Sequence, residues 1–131
     1  MSRYLAWIDR EVTSGTLYNE AELADKLESL RRELTDIHDL SFDTISAAGR
    51  NGALCHYNHL NGTPAMLEMN NLYLVDSGGQ YSDGTTDITR TVIIGEPTAE
   101  HRKMFTLVLK GHIALARAVF PRGTSGVQLD V

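Results

Sequence analysis

A single cysteine, Cys55, occurs among the 131 residues. It cannot form an internal disulfide, so stability must come from a packed core, and the chain reads as reduced and intracellular. No apolar run is long enough to span a bilayer, and no signal-peptide or lipidation pattern is present. The expected address is the cytoplasm, with no membrane partner. Lys and Arg number 12 against 17 Asp and Glu, a formal net charge of −5. The basic residues are scattered, which argues against nucleic-acid binding, because phosphate neutralisation needs them clustered. The glycines form neither a Walker loop nor a dinucleotide loop, and no internal repeat is evident. What is there is ordinary in bulk. With 42% hydrophobic and 22% charged residues the chain falls among globular proteins, and its length suits one domain with its own core.

Periodicity divides the chain. Tyr4, Leu5, Ile8 and Val12 share one face of a first helix, which Ser14-Gly15 ends. Asn19 is a good N-cap for a second, with Glu20 and Glu22 suited to its first turn. Leu23, Leu27, Leu30 and Leu34 form its apolar stripe, and Asp25, Lys26, Glu28, Arg31, Arg32 and Glu33 its solvated side. The period then shortens. Asp43–Ala48 and Ala53–Tyr57 read as short strands around a turn at Gly49-Arg50-Asn51-Gly52. Asn58–Asn70 reads as a polar loop. Leu72–Val75 is a β-prone run that continues to an Asp83-Gly84 turn and returns through Thr85–Ile94, a β-hairpin by propensity and turn chemistry. A long helix follows Pro97-Thr98, with Phe105, Val108, Leu109, His112, Leu115, Ala116 and Val119 at helical spacing, stopped by Pro121 and Gly123. Gly123–Gly126 is a linker, and Val127–Val131 is the first turn of a further helix. Helices flanking hairpin strands make the fold class α+β.

The hairpin carries the chemistry. Pairing through a turn near Ser82-Asp83-Gly84 brings Asp76 and Asp87 close across the ladder. Two carboxylates aimed at one point repel, and divalent cations turn that cost into ligation. Oxygen donors suit Mn2+ or Mg2+, with Zn2+ or Co2+ if imidazole joins. The local alternative is that Asp76 caps a turn with Ser77 and Asp87 pairs with Arg90. Gly78-Gly79 can host a bulge that re-aims side chains.

Leu72–Thr91, with Asp-Ser-Gly-Gly-Gln-Tyr and Asp-Gly-Thr-Thr-Asp-Ile-Thr-Arg-Thr, resembles the hairpin of the aminopeptidase P branch of the pita-bread metallopeptidases. That family also includes methionine aminopeptidase, prolidase and creatinase. Asn51–Tyr57 resembles its substrate-histidine segment, and Leu109–Ala114 through Thr124 its long helix and inter-half linker. The resemblance implies the first half of a pita-bread fold, antiparallel hairpins with flanking helices. It makes residues 1–131 a partial catalytic domain: the first pseudo-symmetric half, the linker and the start of the second half. It implies a di-metal Xaa-Pro aminopeptidase that cleaves the bond before proline at the second position of a peptide, by way of a metal-bridging hydroxide. Two divalent ions, foremost Mn2+, with Zn2+ or Co2+ as alternatives, are the implied cofactors. Asp76 and Asp87 match the first two metal ligands, with Asp87 bridging the ions, and His56 matches a substrate-contacting histidine. The remaining ligands, a His and two Glu, belong to the second half, beyond residue 131. The implied full-length enzyme is a homodimer, and the isolated chain is expected to be inactive.

Neighbouring residues carry plainer readings. Asp83 is a turn residue, and His59 a loop residue. Cys55 points away from His56 if both lie in a strand, which disfavours a Cys–His nucleophile. His112 is a packing histidine. Arg90 pairs with Asp87 or another acidic group behind the site. Glu68-Met69-Asn70-Asn71 stands where the family has a Gly-containing turn. Two other functions stay open: a prolidase- or creatinase-like hydrolase, or a non-catalytic remnant serving as an interaction module.

Overall fold

The computed structural model describes residues 1–33 and 36–130. Two compact units result, Met1–Glu96 and Pro97–Val131. In the first, α1 (Ser2–Thr13) and α2 (Glu20–Arg32) precede β1 (Ile37–Leu40) and β2 (Ile45–Ala48), then β3 (Asn71–Ser77), β4 (Gly79–Tyr81), β5 (Gly84–Thr85) and β6 (Ile88–Ile94). Helices and antiparallel strands in one body agree with the α+β expectation. Leu34, placed on the apolar stripe by its spacing, lies outside the described residues, as does Val131.

α2 starts where its sequence says it should. The Asn19 side chain accepts from the backbone N–H of Ala21 and Glu22, and Glu22 accepts in return from the Asn19 N–H, a full capping box. Leu23 and Leu27 are buried as the stripe requires. Together with Tyr4 and Ile8 of α1 they cover one face of a sheet ordered β2-β3-β6. β3 alternates strictly: Tyr73, Val75 and Ser77 are buried toward the helices. A chain of hydroxyls runs through this core, Tyr4 to Tyr73 and Tyr73 to Ser46, each 2.8 Å. Burial pushes the Tyr73 phenol up to about 12.

The second sheet, ordered β1-β4-β5, continues the hairpin. β1 was not anticipated; the polar pair His38-Asp39 interrupts the apolar signal there. The hairpin loop is Ser82-Asp83, with Gly84 already paired to Tyr81, so Asp83 is a turn residue as read.

Ala53–Tyr57 is not a strand. Gly49–Ala53 winds into a 3₁₀ turn, and β2 pairs with β3 instead. The cause is a buried acceptor: Glu20 takes the Ala48 N–H and the Asn51 side chain, which curls the chain before a hairpin can form. In the polar loop His59 begins a second 3₁₀ turn, His59–Asn61, and is 8% exposed rather than an open loop residue. Asn70 supplies the left-handed turn conformation, at φ 60°, that a glycine would otherwise fill.

In the second unit α3 spans Ala99–Ala116, with Thr98 as its cap. It ends before Val119, so that residue leaves the predicted stripe. None of its residues is buried, so His112 is exposed where packing was expected. α4 is the four-residue turn Gly126–Leu129, one residue earlier than the spacing indicated.

Candidate metal and substrate site

β3 places Asp76 on the sheet face away from the helices. Its direct partners are Ile45 on β2 and Thr89 on β6. The β4–β5 ladder keeps the register of β3–β6, so the hairpin is continuous and position 87 falls opposite position 78. Asp76 and Asp87 are therefore diagonal neighbours across the hairpin, not a directly opposed pair. Diagonal neighbours share a face at roughly 7–8 Å between backbones. Asp87 precedes β6 in a short unpaired step and is exposed.

That step is built by Gly78. Its carbonyl accepts from Ser41 N–H at 3.2 Å, and Ser41 Oγ donates to the Thr86 carbonyl at 2.9 Å. Thr86 N–H in turn donates to the Gly79 carbonyl, and its hydroxyl accepts from Gly79 N–H. The two arms thus cross tightly between the two aspartates, where one sheet gives way to the next. Gly78-Gly79 re-aims the strand as its composition implied.

The test of the aspartate reading is what surrounds the carboxylate. Asp76 Oδ1 is buried with no hydrogen-bond partner among the described residues. A buried carboxylate oxygen without a donor is costly, and a cation removes that cost. The donor set therefore fits a hard divalent ion. The turn-capping alternative draws no support from that oxygen, which caps nothing. The expected Asp87–Arg90 pair is absent as well. Arg90 Nη1 donates to the Thr89 carbonyl at 2.7 Å, and the ion pairs among the described residues involve other side chains. Arg90 and Asp87 sit at odd spacing on one strand path, which sends the side chains apart. Among the described residues no group of three or more His, Cys, Asp or Glu is gathered closely enough to hold an ion. Two aspartates of one hairpin would be a partial ligand set.

His56 follows the 3₁₀ turn Gly49–Ala53. The 3₁₀ turn that leads to it rests on β3: a Cβ on Gly52 would lie 3.4 Å from Leu74 Cβ, and Leu74 shares the face of Asp76. His56 is exposed and holds φ 54°, a left-handed conformation uncommon for a side-chain-bearing residue. Cys55 is exposed beside it, so the strand argument separating the two does not apply. A cleft of about 580 Å³ lies elsewhere, between Arg50, Tyr57, Thr63, Glu68 and Asn71, and neither aspartate lines it.

Sequence reasoning missed the supports. Glu20 is fully buried, and its two oxygens accept from Ala48 N–H, Asn51, Tyr57 and Ala65 N–H at 2.7–2.9 Å. Burial alone would raise its pKa; four donors outweigh that and hold it below the usual carboxylate range. Arg31, assigned to the solvated side of α2, reaches under the hairpin to Ser77 Oγ at 3.1 Å and Tyr81 Oη at 3.2 Å. The signal was helical phase. Residues 20, 24, 27 and 31 fall within one narrow sector of a 3.6-residue helix, so both charges lie on the buried stripe.

The description of metallopeptidase family M24 matches residues 1–131. A protein of Sordaria macrospora named probable Xaa-Pro aminopeptidase P is 53% identical over 98% of this chain and 21% of its own length. A Laccaria bicolor protein of the same name is 51% identical over 98% of the chain and 20% of its length. Among solved structures, the X-prolyl aminopeptidase of Caenorhabditis elegans, described as a cytosolic enzyme with a di-nuclear active site, superposes with a TM-score of 0.85. It is 49% identical, over 97% of this chain and 21% of that one. Prolidase from Pyrococcus furiosus superposes at 0.71 with 27% identity, over 98% of this chain and 37% of that one. The chain spans about a fifth of the length of the curated relatives it matches. The shared backbone is part of the pita-bread fold. With every residue matched, this chain belongs to metallopeptidase family M24.

Proposed function

We propose that these residues form the first half of the catalytic domain of a di-metal Xaa-Pro aminopeptidase. Asp76 and Asp87 would hold divalent ions, foremost Mn2+, with Zn2+ or Co2+ as alternatives. His56 would contact the peptide beside the scissile bond. Bound ions would supply Lewis-acid activation of water and polarisation of the scissile carbonyl. The chain's own share would be to hold two carboxylates on one face and to present an imidazole from the exposed turn at His56. The observation that carries this reading is the buried, unpartnered Asp76 Oδ1 diagonal to Asp87 on one hairpin. The relatives support aminopeptidase over prolidase, at 49–53% identity against 27%. By itself the 131-residue chain would have negligible peptidase activity, because two carboxylates cannot fix a coordination shell. A cytoplasmic location and a homodimer belong to the same reading. Among the described residues no helix is long and apolar enough to cross a membrane.

The test uses protein expressed from the full reading frame around these residues. Release of the N-terminal residue from an Xaa-Pro peptide is measured with and without added Mn2+. Metal-dependent release that Asp76→Asn and Asp87→Asn each abolish is the expected result. Undiminished turnover in either variant would overturn the ligand assignment. Robust turnover by the 131-residue chain alone would overturn its inactivity.

A further inference from the structure

We infer that Glu20 is a positioning residue for His56: its buried carboxylate fastens the segment that carries the histidine, and so sets where the imidazole meets the peptide. The inference rests on the substrate role proposed for His56.

The segment between β2 and β3 has little regular structure of its own. It contains two short 3₁₀ turns and no strand. Leu54, Cys55 and His56 are all exposed, so packing does not fix them. Four hydrogen bonds to one carboxylate do. Oε1 accepts from Ala48 N–H at 2.7 Å and from Asn51 Nδ2 at 2.9 Å. Oε2 accepts from Tyr57 Oη at 2.7 Å and from Ala65 N–H at 2.9 Å. Ala48 closes β2 at the start of the segment, and Asn51, Tyr57 and Ala65 follow along it. Asn51 also donates to Tyr57 Oη at 3.0 Å, which closes the ring. His56 sits between these two anchors, next to Tyr57 in the chain.

The conformation at His56 needs such an anchor. A left-handed residue that is not glycine persists only where its surroundings over-determine it. Tyr57 provides this on the C-terminal side, through its hydroxyl and through its own N–H, which donates to the Leu54 carbonyl at 3.2 Å. The anchor must also be an acid. All four partners present hydrogens, and a carboxylate is acceptor-only, whereas an amide would turn its NH₂ toward two of them. Glu20 is itself immobile, being fully buried in the first turn of α2.

The experiment is a double-mutant cycle in the full-length protein, with Tyr57→Phe as the mild variant because it removes one hydroxyl. Glu20→Gln is the stronger one. Tyr57→Phe is expected to lower kcat/KM about tenfold, within the range that small misplacements of reacting groups cost. Metal content should be unchanged, since Asp76 and Asp87 lie on other elements. His56→Ala alone should cost more. In the His56→Ala background, Tyr57→Phe and Glu20→Gln should cost almost nothing further, because the group they position is gone. If their losses multiply with that of His56→Ala, or if Tyr57→Phe leaves kcat/KM intact, Glu20 acts as a structural residue only and the inference is overturned. The parent reading fails by a different sign: His56→Ala itself would leave kcat/KM unchanged, and the inference would fall with it.

Discussion

A side-chain carbon on Gly78 would lie 1.8 Å from the carbonyl oxygen of Thr86. No side chain fits in that gap, and the obstacle is backbone, which cannot rotate away. Gly78→Ala should therefore force the hairpin arms apart between Asp76 and Asp87. The expected cost is about 3 kcal/mol, at the upper end of overpacking penalties, measured by urea unfolding. Gly79→Ala is the control. Its nearest obstacle is the Tyr81 ring at 3.0 Å, a side chain that can shift, so a smaller loss is expected.

Removing the Glu20 carboxylate should be among the most damaging single changes in the first unit. Glu20→Ala leaves the buried Ala48 amide without its acceptor, at about 1–3 kcal/mol, and the partly buried Ala65 amide as well, at a smaller cost. Glu22→Ala, two residues on, breaks only the exposed half of the capping box and should cost about 1 kcal/mol or less. Chemical denaturation of the two variants side by side checks the ranking.

Stability should fall at both extremes of pH, for separate reasons. Glu20 has a folded pKa below its unfolded value, so the unfolded state binds the proton more tightly. Its contribution is complete above the ordinary Glu pKa and is lost as pH falls through the folded value. Tyr57 and Tyr73 shift the other way, each pushed up to about 12, first by burial and for Tyr57 next by its bond to Glu20. Their contribution is complete below about pH 10, the unfolded tyrosine value, and is lost as pH rises through about 12. Melting temperature followed against pH should show both flanks, and Glu20→Gln should flatten the acid one.

Arg31→Met should destabilise the chain by about 2 kcal/mol. Its two bonds to the Ser77 and Tyr81 hydroxyls are charge-assisted, and they join α2 to both sheets of the hairpin. Arg32→Met, whose partner is the half-buried Glu28 at the surface, should be close to neutral. Thermal unfolding of the two variants separates these cases.

Much of the fold was legible because its signals are local. The Leu23/Leu27 stripe, the Asn19 cap and the Asp83-Gly84 turn are written within a few residues of the elements they produce. Asp76 and Asp87 were legible as a pair because a hairpin is itself a local structure; their diagonal offset was not, since it depends on register. What was lost is long-range. Ala53–Tyr57 has strand propensity, and a glutamate more than 25 residues earlier overrides it. His59 looked like loop because its neighbours are polar, yet tertiary contacts bury it. Arg31 was placed in solvent by its charge, though its helical phase pointed inward.

That phase has a consequence for how the sequence can change. Glu20 and Arg31 stand on one side of α2, about 16 Å apart along its axis, and each grips a different piece of the fold. Inserting or deleting a single residue between them would swing one about 100° relative to the other. Either the segment bearing His56 or the hairpin bearing Asp76 would then lose its tether. The length of α2 between these two residues is thus as strict a requirement as their chemistry.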